Sequence, residues 1–266
     1  MHIAALGSSF AAGPSIPPQT NAAARRSGAN YPSLLAAALG AKLTDLSASG
    51  ATLLNVLSEP QQTLLATLPP QIELLPADVD VVTITAGGND MGYSAGMIGE
   101  AAQLTIDDAE LLGAMMEGMG LKKEGVVGAV GWEEVRGRFV RIIDAIRARA
   151  PKARVFLVEY LAVFGAESGV AADQPLGAER VEAYRRMAGE LSRAYWGAGE
   201  VRAEGVEVVG VAEMSEGHAL GSAEPWMTGY TAEMLMRGGA PFHPNAAGHM
   251  AVADELARRV RGDGVL

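Results

Sequence analysis

Five short runs of apolar residues along the chain predict β-strands. Several of them end at turn-forming residues, which is typical of strands. The runs cover residues 3–6, 42–46, 79–85, 155–158 and 206–211. The third run is the longest, and its unbroken apolar character favours a parallel strand buried on both faces.

Between these runs, apolar residues recur at helical spacing and predict helices. The predicted helices cover residues 31–39, 52–57, 61–75, 106–119, 181–191 and 245–261, of which 61–75 is broken near Pro69-Pro70. A further long helix begins at residue 132 and ends at Pro151. Strands that alternate with helices predict an α/β fold with three α/β/α layers around a mostly parallel five-stranded sheet. We expect one domain over residues 1–266, because no repeat or linker interrupts the pattern. The Gly- and Met-rich residues 91–131 break the rhythm and are interpreted as an insertion or lid.

Composition narrows the possible functions. The 266 residues carry a net charge of −10, which argues against nucleic acid and anionic membrane surfaces as partners. The absence of cysteine excludes thiol nucleophiles, cysteine metal sites and disulfides. No apolar run is long enough to predict a membrane span. A strand beginning at residue 2 leaves no room for a signal peptide, so the sequence predicts a cytoplasmic protein, or a secreted one if a leader was removed.

Three of the predicted strand ends carry polar or glycine-rich turns. They are Gly7-Ser8-Ser9, Ser49-Gly50 and Gly87-Gly88-Asn89-Asp90. Because the carboxyl ends of parallel strands meet at one edge of a sheet, a hydroxyl, a loop amide and a carboxamide should lie close together. A nucleophile with amide donors nearby is the set of groups that an acyl-transfer site needs.

Such a site also needs a base, and the four histidines are the candidates. His243 lies in a loop before the last predicted helix, with Asn245 as a plausible helix cap, and can reach the same edge. For His2, at the opposite edge, and for His249, within the helix, a surface or packing role is favoured. His218 lies in a loop and stays open.

Together these turns resemble the four sequence blocks of the SGNH (GDSL-type) hydrolase superfamily, in the same order and over residues 2–262. The blocks are Gly7-Ser8-Ser9, Gly50, Gly87-Gly88-Asn89-Asp90 and His243-Pro244-Asn245. The resemblance implies a flavodoxin-like strand order and cleavage of carboxylic esters without a metal or cofactor. It implies Ser9 as the nucleophile and His243 as the base. The amides of Ser9 and Gly50 and the side chain of Asn89 would form the oxyanion hole.

At two positions the chain departs from the family pattern. Ser8 stands where the first block usually has aspartate, and Ala240 stands where an aspartate usually orients the histidine. We therefore predict a Ser9–His243 dyad in which the carbonyl of Ala240, or a neighbouring one, holds the ring. The alternative is that Glu224 or Glu233 supplies the missing carboxylate.

Other functions remain open beside the esterase hypothesis. The same dyad could serve acyl transfer or sugar O-deacetylation, and the missing acids also suit a catalytically impaired binding protein. A nucleotide-binding module is disfavoured because Gly7 to Gly13 contains neither the dinucleotide fingerprint nor a P-loop lysine. A metal hydrolase is disfavoured because His and Asp residues are not clustered. The expected partner is a small-molecule ester, and the oligomeric state stays open.

Overall fold

A computed structural model describes residues 1–118, 121–122, 125–126, 128–166, 168 and 173–262. Within these residues, five strands form one fully parallel sheet. The strands are β1 (His2–Gly7), β2 (Lys42–Asp45), β3 (Val81–Thr85), β4 (Arg154–Val158) and β5 (Val206–Val209). Their order, β5-β4-β3-β1-β2, confirms the predicted flavodoxin-like arrangement.

Helices follow most of these strands, as the sequence predicts. They are α1 (Ser9–Ala12), α2 (Tyr31–Leu39), α3 (Leu53–Leu57), α4 (Gly88–Met91), α5 (Tyr93–Thr105), α6 (Ala109–Gly118), α7 (Trp132–Arg149), α8 (Ala178–Val201), α9 (Val211–Met214), α10 (Ala232–Met236) and α11 (Ala246–Arg261). Short 3₁₀ turns cover Gln71–Leu74 and Glu216–His218. Among the described residues, none of the helices is long and apolar enough to span a membrane.

Both faces of the sheet are covered by helices. Helices α2 and α11 pack against each other, and α7 packs against α3 and α8. The apolar stripe of α7, which includes Phe139, Ile142 and Ile146, is completely buried, as expected for an amphipathic helix lying on a sheet. Acidic residues in the first turn of α7 and basic residues in its last turn complement the helix dipole. The three-layer α/β/α prediction is therefore confirmed.

The strand register places the carboxyl ends of β1, β2 and β3 next to each other. Gly7 at the end of β1 pairs with Thr85 at the end of β3, and Ala5 pairs with Asp45 at the end of β2. The turns that follow β1, β2 and β3 thus leave the sheet side by side at its carboxyl edge.

Two predicted helices were wrong in detail. Residues 61–75 form an antiparallel hairpin, Gln61–Gln62 with Thr67–Leu68, and then a 3₁₀ turn. A helix here would need a buried apolar face, yet Leu64 and Leu65 both point into solvent, and Pro69-Pro70 interrupts helical hydrogen bonding.

The region 91–131 contains more helix than the sequence predicts. Helix α5 was missed, and the predicted helix 106–119 begins later, at Ala109. Met97 and Ala101 of α5 are fully buried and belong to the core. Residues 119, 120, 123, 124 and 127 lie outside the described residues, and a lid role for 91–131 stays a prediction.

Candidate active site

The turn after β1 has a backbone that only glycine can adopt. Gly7 has φ of +145°, and a Cβ there would lie 2.3 Å from the carbonyl oxygen of Thr85. The buried side chain of Gln71 fixes the same residue from the other side. Its Oε1 accepts from the Gly7 amide at 2.7 Å, and its Nε2 donates to the Gly7 carbonyl at 2.9 Å. The chain therefore leaves β1 in a defined direction.

The two serines of this turn have different environments. The Oγ of Ser9, the first residue of α1, lies 2.8 Å from Nε2 of His243. Ser8 is completely buried, and its Oγ lies 2.7 Å from the hydroxyl of Tyr160 and 3.4 Å from the Thr85 carbonyl. Only Ser9 is thus placed next to a base.

His243 is oriented by a main-chain carbonyl. Its Nδ1 lies 2.8 Å from the carbonyl oxygen of Pro241. Because a carbonyl only accepts, Nδ1 carries the proton and Nε2 is free to accept from the Ser9 hydroxyl. The acceptor is thus the carbonyl next to that of Ala240, a possibility the prediction included, and it precedes the left-handed backbone of Phe242 (φ +59°).

Neither alternative carboxylate contacts this histidine. Glu233 is exposed and pairs with Arg237 at 2.8 Å. Glu224 contributes only its main-chain carbonyl, which accepts from Nδ1 of His218 at 2.9 Å. Within the described part of the chain, no Asp or Glu side chain is hydrogen-bonded to His243.

Burial keeps the His243 ring neutral. Its pKa is lowered to about 4, mainly by desolvation. The hydrogen bond to Pro241 raises the pKa, and the positive charge of Arg25 lowers it further. The Arg25 guanidinium reaches this neighbourhood by donating to the Gly238 carbonyl at 2.6 Å. A neutral imidazole at ordinary pH can act as a base.

The loop that carries His243 is held by its neighbours on both sides. Main-chain hydrogen bonds of 2.8 Å join Thr228 to both Phe242 and His243. Asn245 caps α11 by accepting from the Gly248 amide at 3.0 Å, which confirms the predicted cap. The same side chain donates to the Pro225 carbonyl at 2.7 Å, so the cap also fixes the preceding loop.

The loop after β2 presents Gly50 at the surface. Gly50 has φ of +82° and is exposed, and its amide has no hydrogen-bond partner among the described residues. The buried side chain of Gln61 supports this loop by donating to the Ser49 carbonyl at 2.7 Å. An amide held this way is available to a ligand.

Asn89 and Asp90, at the end of β3, connect this loop to the neighbouring turn. Asn89 donates one side-chain N–H to the Ala51 carbonyl at 2.9 Å, which leaves a second N–H on the same nitrogen. The buried carboxylate of Asp90 accepts from the Leu53 amide at 2.9 Å and from Arg138 at 2.7 Å. Thr52 is the N-cap residue of α3, and Asp90 adds an acceptor for the Leu53 amide in its first turn.

Sequence reasoning missed Tyr160, the second residue after β4. Its ring stacks on that of Phe10, with 3.9 Å between the ring centroids. The Phe10 centroid in turn lies 5.2 Å from that of the His243 ring. Besides Ser8, its hydroxyl has the Gly88 amide as a hydrogen-bonding neighbour. One side chain therefore touches residues adjacent to Ser9 and Asn89. Its position at the end of a strand at the same edge was the only available signal.

A cavity of about 540 Å³ lies between α8 and the segment after β4, and Tyr160 lines it, whereas Ser9 and His243 do not. Its walls combine apolar side chains such as Leu191 with charged ones such as Arg185. In the described residues, no group of three or more His, Asp or Glu side chains is placed to hold a metal ion.

Chemically, the arrangement suits acyl transfer. A hydroxyl hydrogen-bonded to a neutral, oriented imidazole can be deprotonated as it attacks a carbonyl carbon. The Ser9 and Gly50 amides and the Asn89 side chain belong to three turns at the same edge of the sheet.

Comparisons with known proteins identify relatives of this chain. Residues 5–251 match the model of the GDSL-like lipase/acylhydrolase family. The chain is 28% identical to Lipase 2 of Streptomyces coelicolor, over 94% of this chain and 82% of that protein.

Solved structures share the fold. The extracellular lipase of Streptomyces rimosus superposes with a TM-score of 0.68 at 22% identity, covering 96% of this chain and 98% of the lipase. Phospholipase A1 of Streptomyces albidoflavus gives a TM-score of 0.70 at 21% identity, covering 97% and 98%. The Geobacillus stearothermophilus acetyl xylan esterase Axe2 gives 0.55 at 16% identity, covering 100% and 96%. The family match spans nearly the whole chain, and the chain therefore belongs to the GDSL-like lipase/acylhydrolase family.

Proposed function

We propose that this protein is a serine esterase that cleaves carboxylic esters through an acyl-enzyme on Ser9, with His243 as the only other proton-transferring residue. The observation that carries the proposal is the 2.8 Å contact between Ser9 Oγ and His243 Nε2, combined with an Nδ1 that donates to the Pro241 carbonyl. Membership of a lipase/acylhydrolase family supports the same reaction class.

In the proposed first half-reaction, Nε2 of His243 takes the Ser9 proton while Oγ bonds to the ester carbonyl carbon. The resulting oxyanion accepts from the amides of Ser9 and Gly50 and from the side chain of Asn89. The intermediate collapses when the bond to the alcohol oxygen breaks, and His243 returns its proton to that oxygen. The alcohol leaves and the acyl group stays on Ser9.

In the second half-reaction, a water molecule gives a proton to His243 and attacks the acyl carbon. Collapse of the second intermediate releases the carboxylic acid and restores the Ser9 hydroxyl. An alcohol or sugar hydroxyl in place of water would make the same enzyme an acyltransferase. No step uses a metal, so activity is expected to survive EDTA treatment.

Fluorophosphonate labelling and hydrolysis of p-nitrophenyl esters from acetate to laurate test this proposal. We expect the wild type to label on Ser9, located by peptide mass spectrometry, and to hydrolyse at least one ester. Ser9→Ala should abolish labelling and lower kcat by about 10³-fold or more.

Ser94→Ala is the matched control, because the Ser94 hydroxyl is also buried but has no hydrogen-bond partner among the described residues. It should label and turn over like the wild type. A folded wild type that neither labels nor hydrolyses any ester would identify the chain as a binding protein and refute the proposal. Release of acylated alcohol in the presence of glycerol would instead identify acyl transfer.

A further inference from the structure

The hairpin formed by Gln61–Gln62 and Thr67–Leu68 carries two leucines into solvent. Leu64 is 104% exposed and Leu65 is 69% exposed, and both belong to the four-residue tip between the strands. Exposure this complete means that Leu64 projects beyond its surroundings and does not line a groove. Adjacent leucines at such a position form an exposed apolar patch, which marks an interaction site.

The tip is a fixed structure. Thr63 donates to the Ala66 carbonyl through both its amide, at 2.9 Å, and its hydroxyl, at 2.8 Å. The Thr63 hydroxyl oxygen also accepts from the Ala66 amide at 3.0 Å. The two leucines between these residues are therefore held outward, without further ordering on contact.

Both ends of the hairpin are attached to the candidate active site. On one side, Gln61 donates to the Ser49 carbonyl, next to Gly50. On the other side, Gln71 holds both main-chain groups of Gly7, which leads into the nucleophile turn. Both glutamines are buried. At about 3.3 Å per residue, the leucines stand on the order of 10 Å from the Gln61 anchor.

The segment that carries the tip contains no charged residue. From Pro60 to Ile72 there is no Asp, Glu, Lys or Arg, although a fifth of the chain is charged. Burying this segment in an apolar surface therefore requires no desolvation of charged side chains. The net charge of −10 repels anionic surfaces, which leaves an uncharged or zwitterionic one.

We propose that the Leu64–Leu65 tip inserts into a zwitterionic lipid surface and so delivers aggregated lipid esters to Ser9. A lipid layer fits better than a protein partner, because a convex apolar point needs a soft apolar phase and not a preformed pocket. The inference rests on the proposed esterase function, since it assigns the substrate class of that same site.

Co-sedimentation with phosphatidylcholine vesicles measures the insertion, independently of any chemistry. Wild type should sediment with the vesicles, and Leu64→Ser/Leu65→Ser should partition at least tenfold more weakly, because one buried leucine is worth about tenfold in partitioning. Val201→Ser is the control, since Val201 is a half-exposed apolar residue that lies shortly before the amino end of β5, at the opposite edge of the sheet.

Kinetics on two forms of ester complete the experiment. With monomeric p-nitrophenyl butyrate, the double variant should keep kcat/KM within about twofold of the wild type. On vesicle-bound or emulsified ester, the rate of the double variant should fall by about the same factor as its partitioning onto vesicles. Val201→Ser should match the wild type in all three measurements.

Several outcomes would overturn the inference. They are a wild type that leaves the vesicles unbound, a double variant that binds as well as the wild type, and an equal loss on monomeric and aggregated ester. A wild-type dimer that the double variant converts to monomer, by light scattering, would show that the leucines cover a second copy. Vesicle binding without hydrolysis of any ester would refute the proposed function alone.

Discussion

The pH dependence of the reaction tests the environment of His243 directly. In the proposed mechanism His243 must be neutral, so kcat/KM should fall below the pKa of the free enzyme's imidazole. Burial lowers that pKa to about 4, against 6.5 for an exposed histidine. At pH 5.5 about 97% of the rings would be neutral with the lowered pKa, but only about 9% with the ordinary one. The structure therefore predicts nearly full activity at pH 5.5, where an exposed histidine would have lost about tenfold.

The assay is discontinuous hydrolysis of p-nitrophenyl butyrate from pH 8 to 3.5, with the product read after adjustment to alkaline pH. Circular dichroism at each pH ensures that only folded protein is compared. Arg25→Met should move the acidic limb to higher pH, because the Arg25 charge disfavours imidazolium. Lys152→Met, next to the amino end of β4, should leave the limb in place. A wild-type break near pH 6.5 would refute the buried, neutral base.

Two further predictions concern buried side chains around the site. Tyr160→Phe removes the hydroxyl that contacts Ser8 and the Gly88 amide but keeps the ring, so kcat should fall at least about tenfold with little change in KM; an unchanged kcat would exclude a positioning role. His249 is buried, its Nδ1 accepts from the Tyr31 amide at 3.0 Å, and burial lowers its pKa to about 3. The unfolded chain binds a proton at His249 below pH 6.5, whereas the folded chain does not. The contribution of neutral His249 to the free energy of unfolding is therefore complete above pH 6.5 and is lost as the pH falls towards 3. His249→Asn should therefore flatten the decline in unfolding free energy by about 1.4 kcal/mol per pH unit between pH 6 and 4, measured by urea denaturation; an unchanged slope would mean that the folded protein protonates His249.

Local sequence was enough to predict the parts of the site that lie at strand ends. Ser9, Gly50 and Asn89 each follow an apolar run and a glycine- or serine-rich turn, and the parallel sheet brings such turns to one edge. His243 was a candidate because it lies in the loop before a helix whose cap, Asn245, follows it by two residues. The strand pattern and the coincidence of parallel strand ends predicted that these turns lie together. The choice of Ser9 over Ser8 and the roles assigned to Gly50, Asn89 and His243 came from the resemblance to SGNH hydrolases.

What the sequence did not predict depends on contacts between distant residues. Gln71 holds Gly7 across 64 positions, and Tyr160 meets Ser8 across 152. Neither glutamine nor tyrosine has a pattern that marks it for such a contact. Pro241 could not be singled out from its neighbours for a different reason, because the left-handed backbone at Phe242 is one that a bulky residue rarely adopts.

The two missing acids have different structural substitutes, and this shapes the proposed mechanism. At position 8, the serine hydroxyl is hydrogen-bonded to Tyr160 and links the turn after β1 to the segment after β4 without a charged group. At His243, the Pro241 carbonyl fixes the tautomer but offers no negative charge to a protonated ring. A base with a pKa of about 4 removes the serine proton less readily than one near 7, so more of the transition-state stabilisation must come from the oxyanion donors. Loss of the Asn89 side chain should consequently cost this enzyme at least as much as the 10²- to 10³-fold typical of such donors.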